Sequence, residues 1–419
     1  MNIPPIQAIG AIQFTLPKQL QFSNQIPVYI FNDDKNPILK LDIVFDAGRW
    51  TEEQKLAADA MAALSKSGTK NLSSFEINEA IDQLGATLKI GTGYNTCTLS
   101  ISCLSKFLEP CLELALTCLT DIVFPENELQ IFKKNTKAKL LVNNEKTDYL
   151  SGVIFRETIF GKEHPYGYRT NNERIEQIDR NEIIRYYQSN LLASNCTVFI
   201  AGDVNENCLN QLESVLSRFK NTSVNNFKPQ HIIQTDSNLK IREKKAKSTQ
   251  ASLTMGKILF NKQNKDYGNF ILLNTIFGGY FGSRLMSNIR EDKGLTYGIY
   301  SMLNPLKHDG FWAIYTDTNI DKLDICIQEI EIELDRLQNE LISENEIQLA
   351  RNYLLGRFLK RTDGAFNLME TFKSYIIEGV DIQHFGTFIE DIKNADAKLL
   401  QNLAQKYLSL NSMHQVIVG

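Results

Sequence analysis

The first 163 residues contain no histidine, and the whole 419-residue chain contains only five. An imidazole-based metal site or proton relay in the N-terminal third is therefore excluded. No run approaches the roughly 18 uncharged apolar residues of a membrane span. The opening MNIPPIQAIGAIQFTLPKQL lacks the basic start and apolar stretch of a secretory signal, so the expected location is the cytoplasm. No dense basic stripe interrupts a chain of formal charge −4, which argues against nucleic acid as a partner. Seven cysteines make an odd set. Cys97, Cys103, Cys111 and Cys118 fall in strand-like or amphipathic-helix patterns, which suits reduced, buried thiols better than a disulfide framework. Cys196 and Cys208 have no base nearby in sequence, so no thiol nucleophile is expected.

What is present is the composition of a folded protein, with 43% hydrophobic and 22% charged residues. The length calls for two or three domains. Residues 126–130 read ENELQ and residues 344–348 read ENEIQ, an offset of 218. At nearly the same offset the apolar run ending Val198-Phe199-Ile200-Ala201-Gly202 is echoed by Val416-Ile417-Val418-Gly419. Together these matches predict two tandem homologous halves, residues 1–220 and 249–419, joined by a polar linker over 221–248 that includes a connecting strand.

Strand alternation over 38–47 and 96–104 gives way to a helical period over 106–123, where Leu108, Cys111, Leu112, Ala115, Leu119 and Ile122 share a face. In the second half Phe311–Tyr315 reads as a strand, and Cys326, Ile330, Leu334, Leu337 and Leu341 mark a long helix. The expected class is α+β: two α/β-sandwich halves, each a mainly antiparallel sheet covered by long helices.

Residues 278–301, GGYFGSRLMSNIREDKGLTYGIYS, carry the densest local information. Leu285, Met286 and Ile289 make a helical face, Ser283 is placed to cap its start, and Gly294 to end it in a left-handed conformation. A following strand would put Leu295, Tyr297 and Ile299 on one side. Arg290 then sits on the last helical turn and Tyr297 on the next strand, with tips able to converge. Gly278, Gly279 and Gly282 form no phosphate loop, since no G-K-[ST] follows.

Here the sequence resembles the pitrilysin/insulinase peptidase family, whose C-terminal half carries an Arg and a Tyr seven residues apart around a Gly-Leu-x-Tyr turn. The likeness extends to Phe45-Asp46-Ala47-Gly48, Ser67-Gly68-Thr69, Leu84-Gly85-Ala86, His164-Pro165-Tyr166-Gly167 and Ala201-Gly202-Asp203, in order along the chain. The resemblance implies that Arg290 and Tyr297 hold substrate backbone and stabilise the oxyanion, tasks suited to a planar fork of donors and a phenol on a rigid ring. The competing reading makes Arg290 a partner of its own helix C-terminus and Tyr297 a core aromatic. The coincident landmarks favour function.

Active members of that family bind zinc through an H-x-x-E-H helix in the N-terminal half. The matching segment here, residues 56–69, reads LAADAMAALSKSGT and puts Asp59 and Ala63 at the ligand positions and Ala62 at the general base. This helix cannot make the family's zinc site. Glu145 lies near the stretch for a third, carboxylate ligand and reads better as a solvated charge. His164, His231, His308, His384 and His414 show no ligand spacing, and the KIREKKAKSTQ run over 240–250 reads as solvated linker.

Retention of the Arg/Tyr pair beside loss of the zinc helix resembles the zinc-free subunit of the family's two-subunit bacterial peptidases, and the alpha-like subunits of processing peptidases. The resemblance implies a chain inactive alone, with no cofactor of its own, that pairs with a zinc-bearing homologue and binds unfolded peptide, partly by adding a strand to a sheet edge. The rival expectation is a structural or assembly subunit like the core proteins of respiratory complexes. An independent peptidase would need clustered His, Asp or Glu that the sequence does not show.

Overall fold

A computed structural model describes residue 12 and residues 15–219, 229–233, 238–246, 248–381 and 383–419. The connection expected over 221–248 thus lies partly outside the described residues. Six strands form the first sheet: β1 (Lys18–Gln21), β2 (Pro27–Asn32), β3 (Ile38–Phe45), β4 (Thr87–Thr92), β5 (Cys97–Leu104) and β6 (Cys196–Gly202), in the order β1-β2-β6-β3-β5-β4. Five form the second: β7 (Lys240–Glu243), β8 (Gln250–Leu259), β9 (Thr296–Pro305), β10 (Gly310–Asn319) and β11 (His414–Val418), in the order β7-β11-β8-β10-β9. The last five positions of the first order trace the same path as the second. Each sheet has one parallel pairing, β2 with β6 and β7 with β11, and is otherwise antiparallel.

Helices α1 (Ala57–Leu64), α2 (Ser74–Gln83), α3 (Leu108–Thr120), α4 (Glu126–Asn144), α5 (Thr147–Phe160), α6 (Asn172–Gln177), α7 (Arg180–Asn190) and α8 (Glu206–Ser217) belong to the first half. The second contributes α9 (Tyr267–Asn274), α10 (Leu323–Asn339), α11 (Glu344–Arg361), α12 (Ala365–Ile377), α13 (His384–Asn394) and α14 (Ala397–Tyr407). Glu344 opens α11 218 residues after Glu126 opens α4, and Ala365 opens α12 at the same offset from Thr147 at the start of α5. The fold is thus two homologous α/β-sandwich halves. Within the 221–248 stretch, Lys240–Glu243 form an edge strand that pairs with β11, where its backbone groups gain partners.

The alternation read from the sequence selects the inner faces. Leu39, Leu41, Ile43 and Phe45 of β3 join Leu99 and Ile101 of β5 under α1 and α3, while Leu253, Trp312 and Ile314 do the same under α10 and α14. The outer faces are covered by exchange. Ala365, Met369 and Phe372 of α12, from the second half, pack on Phe31, Val44 and Phe199 of the first sheet. Ile154, Phe155 and Phe160 of α5, from the first half, pack on Phe311, Ala313 and Val416 of the second. Two polar contacts mark the crossings: Lys373 of α12 pairs with the fully buried Asp42 of β3, and the Ser151 and Thr254 hydroxyls meet at 3.0 Å. Separating the halves would expose both outer faces, at roughly 1.5–3 kcal/mol for each buried Phe or Ile.

All seven cysteines are buried and free. No helix among the described residues is long and apolar enough to cross a membrane.

Candidate functional site

Strand β3 ends at Phe45, and Gly48 follows where a Cβ would come within 2.7–2.8 Å of backbone atoms of Gly93, Tyr94 and Thr96. Only glycine allows that approach. It lets the Arg49 and Trp50 amides donate to the Gly93 and Tyr94 carbonyls at 3.1 and 2.8 Å, which ties the entry of α1 to the β4–β5 hairpin. Arg49 then reaches Asp59 at 2.7 Å, and the Thr92 hydroxyl donates to the other Asp59 oxygen at 2.9 Å. Burial pulls the Arg49 guanidinium pKa down, but the charge of Asp59 and the Tyr168 phenol outweigh it, and the net shift is upward. The side chain at the first ligand position is thus engaged on both oxygens.

Behind it, the buried Glu52 accepts from the Tyr168 hydroxyl at 2.6 Å and from the Ala58 amide at 3.1 Å, anchoring the first turn of α1. Burial pushes its carboxyl up to about 7, against the pull of those two donors. At the other two motif positions Ala62 and Ala63 line an open groove of about 650 Å³, together with Lys66 and the edge strand β4 from Lys89 to Thr92. One engaged aspartate and two methyl groups do not fit a zinc ion, which takes imidazole, thiolate or free carboxylate donors. Glu145 caps the C-terminal end of α4 and pairs with Lys245 at 3.1 Å with its side chain 73% exposed, as a solvated charge would. Among the described residues no three His, Cys, Asp or Glu side chains are gathered as a metal would need.

The histidines are less scattered than their spacing implies. His164, from the turn after α5, His231 and His308, from the β9–β10 turn, all surround Trp50, with ring centroids 5.6, 4.6 and 4.0 Å from the indole. The His231 ring meets the Trp50 carbonyl at 2.8 Å. His164 accepts the Tyr166 amide at Nδ1, 3.1 Å, and its buried Nε2 has no hydrogen-bond partner among the described residues. Burial first, then His231, Lys55 and His308, hold its pKa down at about 4. This cluster packs the seam between the halves.

The segment carrying Arg290 and Tyr297 departs from the sequence reading in two places. Its helix is π-helical over Met286–Asp292, a form that recurs at functional sites, and the buried Ser283 hydroxyl has no hydrogen-bond partner among the described residues, so it does not cap. Gly294 does end the helix, with φ +58, and Leu285 and Ile289 are buried as expected. Along the strand, however, the alternation fails. Thr316 faces Ile299 but Thr318 faces Thr296, so Tyr297 and Gly298 lie opposite the single residue Asp317. This β-bulge re-aims the side chain: Ile299 is fully buried, whereas Tyr297 is 92% exposed. A core role for Tyr297 is therefore wrong. The Arg290 guanidinium stacks on the Phe281 ring at 4.8 Å and makes no hydrogen bond or ion pair among the described residues, so it does not close its own helix. Asn288 on the same turn donates to Glu329 and Glu333 of α10 at 3.1 and 2.9 Å, fixing the helix that presents Arg290.

Residues 28–163 match the family model described as insulinase (peptidase family M16), and residues 177–354 match the model described as peptidase M16 inactive domain. The chain belongs to the M16, or pitrilysin/insulinase, peptidase family. Within it, a chain with alanines in place of a ligand and the base is a non-catalytic member. It is 25% identical over 335 residues to an uncharacterized zinc protease of Rickettsia bellii, covering 78% of this chain and 80% of that one. It is 21% identical to the non-peptidase homolog YmxG of Helicobacter pylori, covering 94% and 92%. A crystal structure of a peptidase M16 inactive domain from Pseudomonas fluorescens shares the fold, with TM-score 0.84, 20% identity, and coverage of 96% and 98%.

Proposed function

We propose that this chain is the zinc-free subunit of a two-subunit metallopeptidase, holding an unfolded peptide and presenting Arg290 and Tyr297 towards the metal site of a zinc-bearing homologous partner. One observation carries the reading. In a chain whose metal-motif positions have become Asp59, Ala62 and Ala63, an Arg290 guanidinium with no counterion among the described residues and a Tyr297 side chain that is 92% exposed are both present. Two strong donors left without internal work are donors available to a ligand. The unpaired edge of β4 beside the Ala62–Ala63 groove supports backbone pairing as the means of holding an extended peptide.

The test is cleavage of a fluorescein-labelled unstructured peptide by this chain, by a homologue from the same genome carrying H-x-x-E-H, and by their equimolar mixture. The expected result is cleavage by the mixture far above either chain alone. In the mixture, Tyr297→Phe or Arg290→Ala should lower the rate about 10²–10³-fold, the cost of removing one oxyanion donor. A mixture no better than the zinc-bearing chain alone would leave the assembly role instead. Stoichiometric zinc and cleavage in this chain by itself would point to an independent peptidase.

A further inference from the structure

We infer that Thr296, backed by Thr316, is the positioning residue that holds the Tyr297 phenol clear of the sheet; the functional consequence rests on the role proposed for Tyr297. The bulge leaves backbone groups without cross-strand partners, and one hydroxyl takes them over. Thr296 Oγ1 lies 2.6 Å from the Asp317 carbonyl, accepts the Gly298 amide at 3.1 Å, and lies 3.0 Å from Thr316 Oγ1. A hydroxyl has one proton to give and two lone pairs to receive. Donation to Asp317, with acceptance from Gly298 N–H and Thr316 O–H, saturates it. The Gly298 carbonyl also lies 3.0 Å from both threonine hydroxyls, whose protons this arrangement commits to Asp317 and to Thr296, and Thr318 donates to the Leu295 carbonyl at 2.6 Å to fix the strand's start.

The consequence is geometric. In an unbulged strand Tyr297 and Ile299 would share a face, and Ile299 is fully buried. The clasp is what allows a core isoleucine and an exposed tyrosine two residues apart. Thr296 itself need touch no substrate; it acts through the backbone of Tyr297 and Gly298. Valine at 296 keeps the shape and removes every hydrogen bond that Thr296 Oγ1 makes, whereas serine keeps them.

The experiment has two readouts on the full chain. Nitration of Tyr297 by tetranitromethane, followed by peptide mapping, reports the phenol's exposure without any partner. Thr296→Val should slow it severalfold, and Thr296→Ser should match the wild type. In the equimolar mixture, Thr296→Val should lower kcat about 10²-fold, the order of effect of a small misplacement at the reacting centre, with KM within about threefold and rescue by serine. If Thr296→Val does not fold, Thr316→Val, which removes only the supporting donor, should move both readouts the same way by less. Unchanged nitration in a folded Thr296→Val or Thr316→Val variant overturns the inference. Slowed nitration with no effect of Tyr297→Phe on cleavage would uphold the clasp and sink the proposed function instead.

Discussion

Replacing Lys373 by methionine tests whether the exchanged helix α12 truly locks the halves together. Lys373 reaches across from α12 with its side chain 15% exposed and pairs with Asp42, which is fully buried in the middle of β3. Burial alone would lower the ammonium pKa, but Asp42 and then Glu370 at 2.8 Å more than compensate, and it is raised. The Oδ1 atom of Asp42 has no hydrogen-bond partner among the described residues, where its carboxylate is held by Lys373 through Oδ2. Methionine preserves the length and apolar stem of lysine and removes the charge, leaving a carboxylate inside the sheet sandwich. Breaking one side of a buried pair costs about 3–5 kcal/mol. Glu370 retains Lys40 at 2.5 Å, so the loss is concentrated on Asp42. Urea denaturation followed by the fluorescence of Trp50 and Trp312, one in each half, measures it. The wild type should unfold in one transition reported alike by both tryptophans. Lys373→Met should lose about 3–5 kcal/mol, and Asp42→Val with Lys373→Met should recover to within about 1 kcal/mol of wild type, because an apolar pair avoids desolvation altogether. A single variant that loses under about 1 kcal/mol, or a double variant as unstable as the single, would refute the claim that this pair is desolvated and coupled.

Acid should weaken the seam at Trp50. The His164 pKa is depressed from 6.5 to about 4, so its neutral form is favoured on folding; its contribution is intact above about pH 6.5 and is lost at roughly 1.4 kcal/mol per pH unit as the pH falls towards 4. Urea midpoints at pH 7.5 and 5 should differ more in the wild type than in His164→Gln, and equal differences would exclude His164 as the source. Gly48→Ala should cost about 1–3 kcal/mol as overpacking against three backbone atoms, read as a lower melting temperature; an unchanged one would mean that the β4–β5 hairpin yields easily. Loss of cleavage in Tyr297→Phe and Arg290→Ala mixtures, with unchanged denaturation midpoints, is expected if both side chains serve a ligand rather than the fold.

The amino-acid sequence by itself determined whatever depends on residue identity or on local period. The loss of the metal motif is visible because Ala62 and Ala63 offer no donor in any fold. The inner faces of β3, β5, α3 and α10 follow from alternation and helical spacing, except that Leu341, read as part of the α10 face, lies past the helix end and is exposed, and the duplication shows in ENELQ and ENEIQ. Gly294 was legible as a helix end because a left-handed residue there favours glycine. Tertiary structure alone decided partnership. Nothing in the sequence says that Phe155 and Phe372 each lie on the other half's sheet, since apolar surface carries no address. Three histidines far apart in sequence meet at one indole because chain reversal, not spacing, brings them there. Tyr297 escaped the two-residue alternation because side-chain hydroxyls can replace ladder hydrogen bonds and absorb an extra residue; the isolated Gly298 within a strand run was its only local trace.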